Sequence, residues 1–395
     1  MFKRAGIESM NISSEQAILH VQNALRDAKN FAWLAAGPNG KQLLNVAGEW
    51  QDYDPFSEEC PNGILALAYE LKDRFERLQS NGIPAVDFPH AALLPFDERY
   101  EFDAPDFKLN SNADVPLPEF EMDFTKAEYI QSVIQIQEHL RRGDCYEMNF
   151  CMRFTLRNVS PDPFTLYQHL YSISKAPFSA FLRNGERFLI CGSPERFLKK
   201  EKNRLISQPI KGTIRRGVSP AEDLALQQQL RNDPKERSEN IMIVDLVRND
   251  FSRIAESGSV AVDELCAIYS FNTVHQMIST VSCSTSASPG EILRATFPMG
   301  SMTGAPKVRV MELIHQYEKS QRGLYSGTVG YITGDGDFDL NVVIRSILYD
   351  RKNRYLSFSV GSAITLASDP EREYDECLLK SESMRRAIAA SLQKG

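Results

Sequence analysis

The chain has 395 residues, 42% hydrophobic and 25% charged, with 45 basic against 52 acidic side chains and a net charge of −7. That is the composition of an ordinary globular protein with a sizeable core, and it excludes the disordered and fibrous classes. The acidic balance argues against nucleic acid or an anionic membrane as partner, yet leaves room for a local basic pocket suited to a small dianion.

The N-terminus, MFKRAGIESMNISSEQ, has no apolar stretch after its charges. No run reaches the roughly 18 apolar residues of a membrane span, so the expected location is cytoplasmic. Seven cysteines (60, 145, 151, 191, 266, 283 and 377) include no CxxC pair and read as reduced, structural thiols. Residues 1–125 hold a helical stretch from Ser14 to Lys29, short apolar segments, and the passage APDFKLNSNADVPLPEFEMD, which reads as a linker or extended crossover. Patterned helices and strands run from Tyr129 almost to the C-terminus. The expected organisation is a short N-terminal region, 1–125, integrated with a catalytic core at 126–395.

Three helix starts are legible because a capping residue stands beside a proline. Asn232-Asp233-Pro234 opens a helix through Glu236, Glu239, Met242, Leu246 and Asn249 that ends near Gly258. Thr303-Gly304-Ala305-Pro306 opens another, with Val308, Met311, Ile314 and Tyr317 on one face. Asp369-Pro370 opens the last, with Tyr374, Leu378 and Ile388 as its buried stripe. Strands are clearest at 338–344 and 356–360, where apolar and polar residues alternate with period two. Such strands expose one face to solvent or a cavity, which indicates an α+β class with antiparallel sheets rather than a doubly wound fold.

Glu236 and Glu239 share one helical face, and Glu373 and Glu376 share another, which Lys380 continues. Four carboxylates brought together would repel by roughly 4 kcal/mol per pair at 4 Å and an effective dielectric near 20. A hard cation with oxygen ligands, Mg²⁺, is the natural compensation. The spacing alone fits a solvated face equally well, but the run IMIVDLV after Glu239 implies burial at that end. GPNGKQ (37–42) lacks P-loop spacing and GDGDFDL (334–340) lacks the glycine after Asp339 and the closing glutamate of an EF-hand loop, so both read as turns.

The blocks GDCYEMNFCMRF (143–154), SPERFL (193–198), PIKGTIRRG (209–217), ENIMIVDLVRNDFSRI (239–254), GSMTGAPKVRVMEL (300–313), SGTVGYI (326–332), VIRS (343–346) and DPEREYDECLLKSE (369–382) occur in order. Over about 128–390 the chain therefore resembles the chorismate-utilising enzymes, a family that includes the component I chains of anthranilate and aminodeoxychorismate synthases and the isochorismate and salicylate synthases. The resemblance implies a fold like anthranilate synthase component I, with large antiparallel sheets in a sandwich and helices outside. It implies that Glu236, Glu239, Glu373 and Glu376 hold Mg²⁺ and, through it, the ring carboxylate of chorismate. Arg345, Tyr325 and the backbone at Gly361 and Ala363 match positions holding the enolpyruvyl carboxylate, to which a guanidinium fork and free N–H groups are suited. Ser301 and Thr303 match hydroxyls lining the ring, His275 a histidine near the departing ring hydroxyl, and Lys380 a lysine near the metal. Standing alone, His275 reads as structural, Thr303 as a turn or cap residue, and Lys380 as an i, i+4 partner of Glu376.

Lys211 decides the branch that the resemblance points to. Anthranilate synthases usually carry a small residue in PIxGT, whereas the enzymes that aminate chorismate at C4 carry lysine, and this chain reads PIKGT. Such a lysine adds at C2 and expels the C4 hydroxyl; ammonia then adds at C4 and expels the lysine. It must lose its proton first, so burial or positive charge is expected to lower its pKa. Glu195 matches the acid/base of this branch. The N-terminal region lacks an LLES-type tryptophan-binding segment, and Ala363 departs from the more usual glycine. No GxCxG glutaminase elbow is present, so ammonia must come from solution or from a separate glutamine amidotransferase subunit, and no lyase step is expected. The rival readings are anthranilate synthase component I, which aminates C2 and releases pyruvate, and a non-catalytic chorismate-binding regulatory homologue.

Overall fold

The alternating strands assemble into two large sheets. The computed structural model describes residues 9–393 apart from 36–39, 58–59, 77, 81, 83, 108, 110–114 and 272–273. Residues 37–39 of GPNGKQ, part of the 104–123 passage and residues 1–8 of the N-terminal region lie outside the described residues. Among those described, one sheet has eleven strands and the other ten. Pairing within them is antiparallel except where Met10–Asn11 meets Glu98–Asp103.

The N-terminal residues belong to both sheets. Asn30–Ala35 pairs with Phe178–Asn184 in the first, and Gly63–Leu67 pairs with Thr328–Ile332 in the second. One apolar cluster joins Leu34, Leu43 and Leu189 of the first sheet to Ile64, Leu94 and Val329 of the second, so the sheets pack face to face. The helices Lys126–Arg142, Pro163–Ser174 and Pro370–Leu392 contribute Tyr129, Tyr167 and Met384 to the core of the first sheet. The helix Pro234–Ser252 places Ile243, Val247 and Phe251 against the second.

Asp233 and Asp369 cap their helices as expected, each accepting two backbone N–H groups of the first turn. The helix from Pro234 stops at Ser252, short of Gly258, and the first helix at Arg26 rather than Lys29. The helix after Pro306 is Lys307–Tyr317 and has no side-chain cap. Its buried face is Val310, Met311, Leu313 and Ile314, so Val308 is exposed, contrary to the expected stripe.

Candidate active site

A cavity of about 480 Å³ opens where the two sheets meet the helices Pro234–Ser252 and Pro370–Leu392. Twelve of the fourteen candidate residues line it; Thr303 and His275 do not.

Lys211 reaches the cavity because its strand is broken there. Ile210–Arg215 pairs with Val274–Ser284, but between Ile210↔Ile278 and Thr213↔Gln276 one extra residue is inserted. Such a bulge re-aims a side chain, and Gly212 takes the left-handed conformation, φ +86°, that it requires. The Lys211 side chain is 12% exposed, and its Nζ donates to Oε1 of Glu147 at 2.7 Å. Burial by itself would lower the pKa of this ammonium, but Glu147, Glu239 and Glu195 outweigh it and raise the value above that of an ordinary lysine. The expected depression is thus reversed: the burial is present, but the neighbouring charges are carboxylates rather than cations.

Glu195 lies in the link between the strands Arg187–Ser193 and Arg196–Glu201, with its N–H donating to Ser193 Oγ and its carbonyl accepting from Val342. The adjacent Arg196 is committed to Asp339 at 2.9 Å and leaves Glu195 to the cavity. Burial pushes the Glu195 carboxyl up to about 7, against the opposing pull of Ser301 and Lys211. Such a group is a proton donor near neutrality.

Glu236 and Glu239 face the cavity from one helix and Glu373 and Glu376 from the other. The Lys235 ammonium lies between them, 3.5 Å from Glu373 Oε1 and 3.8 Å from Glu239 Oε1. Glu239 Oε1 makes no hydrogen bond, and burial raises the Glu239 carboxyl to about 7 and lifts Glu236 too. Glu373 Oε2 accepts from Ser362. Burial would raise Glu376 as well, but Lys380, 2.6 Å away, holds it below the usual carboxylate value. Among the described residues, no three carboxylate, imidazole or thiol side chains converge tightly enough to hold an ion as they stand. The donors are nevertheless all oxygen, and a cationic side chain already sits between the two helices; both features suit a hard divalent cation.

Arg345 adopts φ +51°, an uncommon conformation for an arginine, and its guanidinium makes one hydrogen bond, from Nη1 to the Lys380 carbonyl at 3.0 Å. Burial lowers its pKa, and no carboxylate partner is present to offset this fully. Beside it the strand Tyr355–Ile364 has lost one neighbour: Ser346–Asp350 pairs only as far as Phe358, whereas Glu147–Arg157 continues to Ile364. The stretch from Ser359 to Ala363, including Gly361, therefore presents an unpaired edge of backbone groups to the cavity. Tyr325 is buried alongside, its hydroxyl 3.6 Å from Cys151 Sγ, and Lys380 Nζ donates to the Gly361 carbonyl at 3.0 Å. A Cβ at Gly361 would lie 2.5 Å from Asn149 Oδ1 and 2.6 Å from Cys151 Sγ, so a larger residue there would have to displace these two side chains.

Two expectations are corrected. His275 is fully buried outside the cavity, with Nε2 2.9 Å from Asp223 Oδ1 and Nδ1 2.9 Å from Ser270 Oγ. Side chains alternate along a strand, and it is the next residue, Gln276, that faces the cavity. Thr303 spends its hydroxyl on the carbonyls of Met299 and Gly300, closing the turn ahead of the Lys307–Tyr317 helix; only its neighbour Ser301 reaches the cavity. The sequence reading also missed Lys235, Asn149 and Glu147. Glu147 did carry a signal, since a carboxylate heading the stretch Met148 to Met152, apolar but for Asn149, must find a partner when buried.

The two sheets, the flanking helices and this cavity define the class: residues 41–386 match the family of chorismate binding enzymes, and the chain belongs to that family. It is 38% identical over 362 residues to aminodeoxychorismate synthase component 1 of Escherichia coli K12, covering 85% of this chain and 79% of that one. It is also 42% identical over 274 residues to the chloroplastic aminodeoxychorismate synthase of Arabidopsis thaliana, covering 68% of this chain. The match spans 30% of that relative's length and 31% of its Oryza sativa counterpart. Anthranilate synthase component I from Streptococcus pneumoniae superimposes with a TM-score of 0.74 at 24% identity, over 90% of this chain and 92% of that one, and shares the fold. Among the described residues no helix is long and apolar enough to cross a membrane.

Proposed function

We infer that the chain is the chorismate-aminating component of an aminodeoxychorismate synthase, converting chorismate and ammonia to 4-amino-4-deoxychorismate. The single observation that carries this reading is the Lys211 amine, aimed by a bulge into a cavity where the proton donor Glu195 also faces. Arg345, with donors to spare, and the open strand edge at 359–364 take the enolpyruvyl carboxylate. Lys211 forms a bond from Nζ to C2, both ring double bonds shift, and the C4–O bond breaks as Glu195 gives its proton to the departing hydroxyl, releasing water. Ammonia then bonds to C4, the double bonds shift back, and the C2–N bond breaks to return the lysine amine. The new C4 ammonium gives a proton back to Glu195.

Glu236, Glu239, Glu373 and Glu376 would hold Mg²⁺, displacing Lys235 from between the helices. Bound there, the ion supplies positive charge for the ring carboxylate. Ammonia comes from a glutamine amidotransferase subunit, and the setting is cytoplasmic. The test is product identity: the purified chain with chorismate, Mg²⁺ and ammonium, followed by an aminodeoxychorismate lyase, yields 4-aminobenzoate. Formation of 2-aminobenzoate refutes the reading.

A further inference from the structure

The lysine just described begins as an ammonium and must lose a proton before it can attack. Its only hydrogen-bonded partner among the described residues is Glu147, the first residue of the strand Glu147–Arg157 and 1% exposed. The geometry is specific: Oε1 accepts from Lys211 Nζ at 2.7 Å, while Oε2, equally buried, has no hydrogen-bond partner. Leaving a buried carboxylate oxygen unpaired is costly, and a purely structural ion pair would be expected to occupy both oxygens. The position of Glu147 is also rigid. Its own carbonyl packs so closely on Gly304 that a Cβ there would come within 2.0 Å, and Ala305 and Met148 complete the strand pairing on either side.

We propose that Glu147 is the positioning residue of Lys211 and the acceptor of its proton. The step, which rests on the function proposed above, is a transfer within the pair: Lys211 Nζ–H breaks, Glu147 O–H forms, and the neutral amine turns its lone pair on C2. Glu147 keeps the proton while Lys211 is bonded to the ring. When ammonia has displaced the lysine, the proton returns and the ion pair re-forms. No co-reactant beyond chorismate and ammonia is needed, and the uncharged amine never has to exchange its proton with bulk water.

Other charges face Lys211 from each packed element: Glu195 from the strand link, Glu239 and Glu236 from Pro234–Ser252, and Glu376 from Pro370–Leu392. None of these four is its hydrogen-bonded partner. Glu147 therefore differs from them in contact and not merely in sign.

The test uses the full chain with Mg²⁺, ammonium and chorismate. Glu147→Gln keeps an oxygen for the lysine but cannot take a proton. At pH 7 its kcat for C4 amination is expected to fall by about 100-fold, the low end for a lost acid–base group, with KM for chorismate within about threefold. The deficit should shrink steadily from pH 7 to 9.5 as solvent base replaces the carboxylate. Glu147→Asp, which retains the carboxylate, should recover most of the lost rate at pH 7. A Glu147→Gln kcat within threefold of wild type at pH 7 overturns the proposal; so does a deficit equal at every pH, which marks a displaced lysine. If the wild-type chain itself makes no C4-aminated product, it is the functional reading that fails.

Discussion

Two buried clusters of charge stand close together, and they are built on opposite principles. In one, all five N–H donors of Arg322 are used: on both Glu318 oxygens at 2.9 and 2.6 Å, on the carbonyls of Met302 and Asn149, and on Ser326 Oγ. Glu318 also accepts the Cys151 N–H, both Glu70 oxygens accept backbone N–H groups of Arg322 and Gly323, and the Tyr69 ring lies 4.6 Å from the guanidinium. In the other, Glu147 Oε2 and Glu239 Oε1 have no hydrogen-bond partner among the described residues, and Arg345 uses one bond of its fork. The first cluster ties the 301–302 turn, the 318–326 link and the strand Glu147–Arg157 into one body. The second rests on that body with its valences open. Buried polar groups are normally satisfied, so a concentration of open ones marks where a ligand completes the structure.

The sharpest way to break this contrast is to remove the central cation of each cluster. Arg322→Ala strands Glu318 and two carbonyls, and is expected to destabilise the fold by about 3–5 kcal/mol, read as a fall in urea midpoint. Lys211→Ala should lower that midpoint less, since it strands the single carboxylate Glu147 rather than Glu318 and two carbonyls, while C4 amination drops by at least about a thousandfold. Equal unfolding midpoints for the two variants would show that both clusters are architectural.

Glu195 offers a smaller test with a definite sign. Its carboxyl titrates near 7 in the fold and near the ordinary carboxylate value when unfolded, so the folded state holds the proton more tightly. Stability from this group is complete below the unfolded pKa. It declines as pH rises through about 7, by roughly 3 kcal/mol at most. Glu195→Gln removes that penalty: the variant should match wild type near pH 4 and exceed it at pH 8. Its amination rate should be lower, and its profile should lack the fall in rate above pH 7 that a Glu195 proton donor predicts for wild type. A variant less stable than wild type at pH 8 would mean that Glu195 is a satisfied structural carboxylate.

Legibility in the sequence followed the range of the forces involved. Asp233-Pro234 and Asp369-Pro370 were readable because capping is settled within four residues, and the two pairs of glutamates because helical spacing alone puts each pair on one face. The order of the sheets was not, since setting Asn30–Ala35 against Phe178–Asn184 depends on contacts about 150 residues apart. His275 came from the resemblance, which matched it to a histidine beside the ring, and nothing local in the sequence says that it is Gln276 that points inward. The charge state of Lys211 was out of reach for the same reason: the carboxylate that governs it lies 64 residues away.

The smallest expected effect falls on the bulge that joins strand to chemistry. At Gly212 an added Cβ would stand 3.1 Å from Glu236 Oε2 and from Leu230 Cδ1, and the backbone would still need φ +86°. Gly212→Ala should therefore cost about 1–2 kcal/mol, the usual penalty for a non-glycine residue in this conformation. Relief by flattening the bulge would restore the regular alternation of the strand and swing Lys211 off its line to Glu147. The variant should accordingly lose more in kcat than its stability predicts, with chorismate KM little changed because Arg345 and the 359–364 edge are untouched. A stability loss with kcat intact would show that the bulge does not aim the lysine, and that its place in the cavity is held by Glu147 alone.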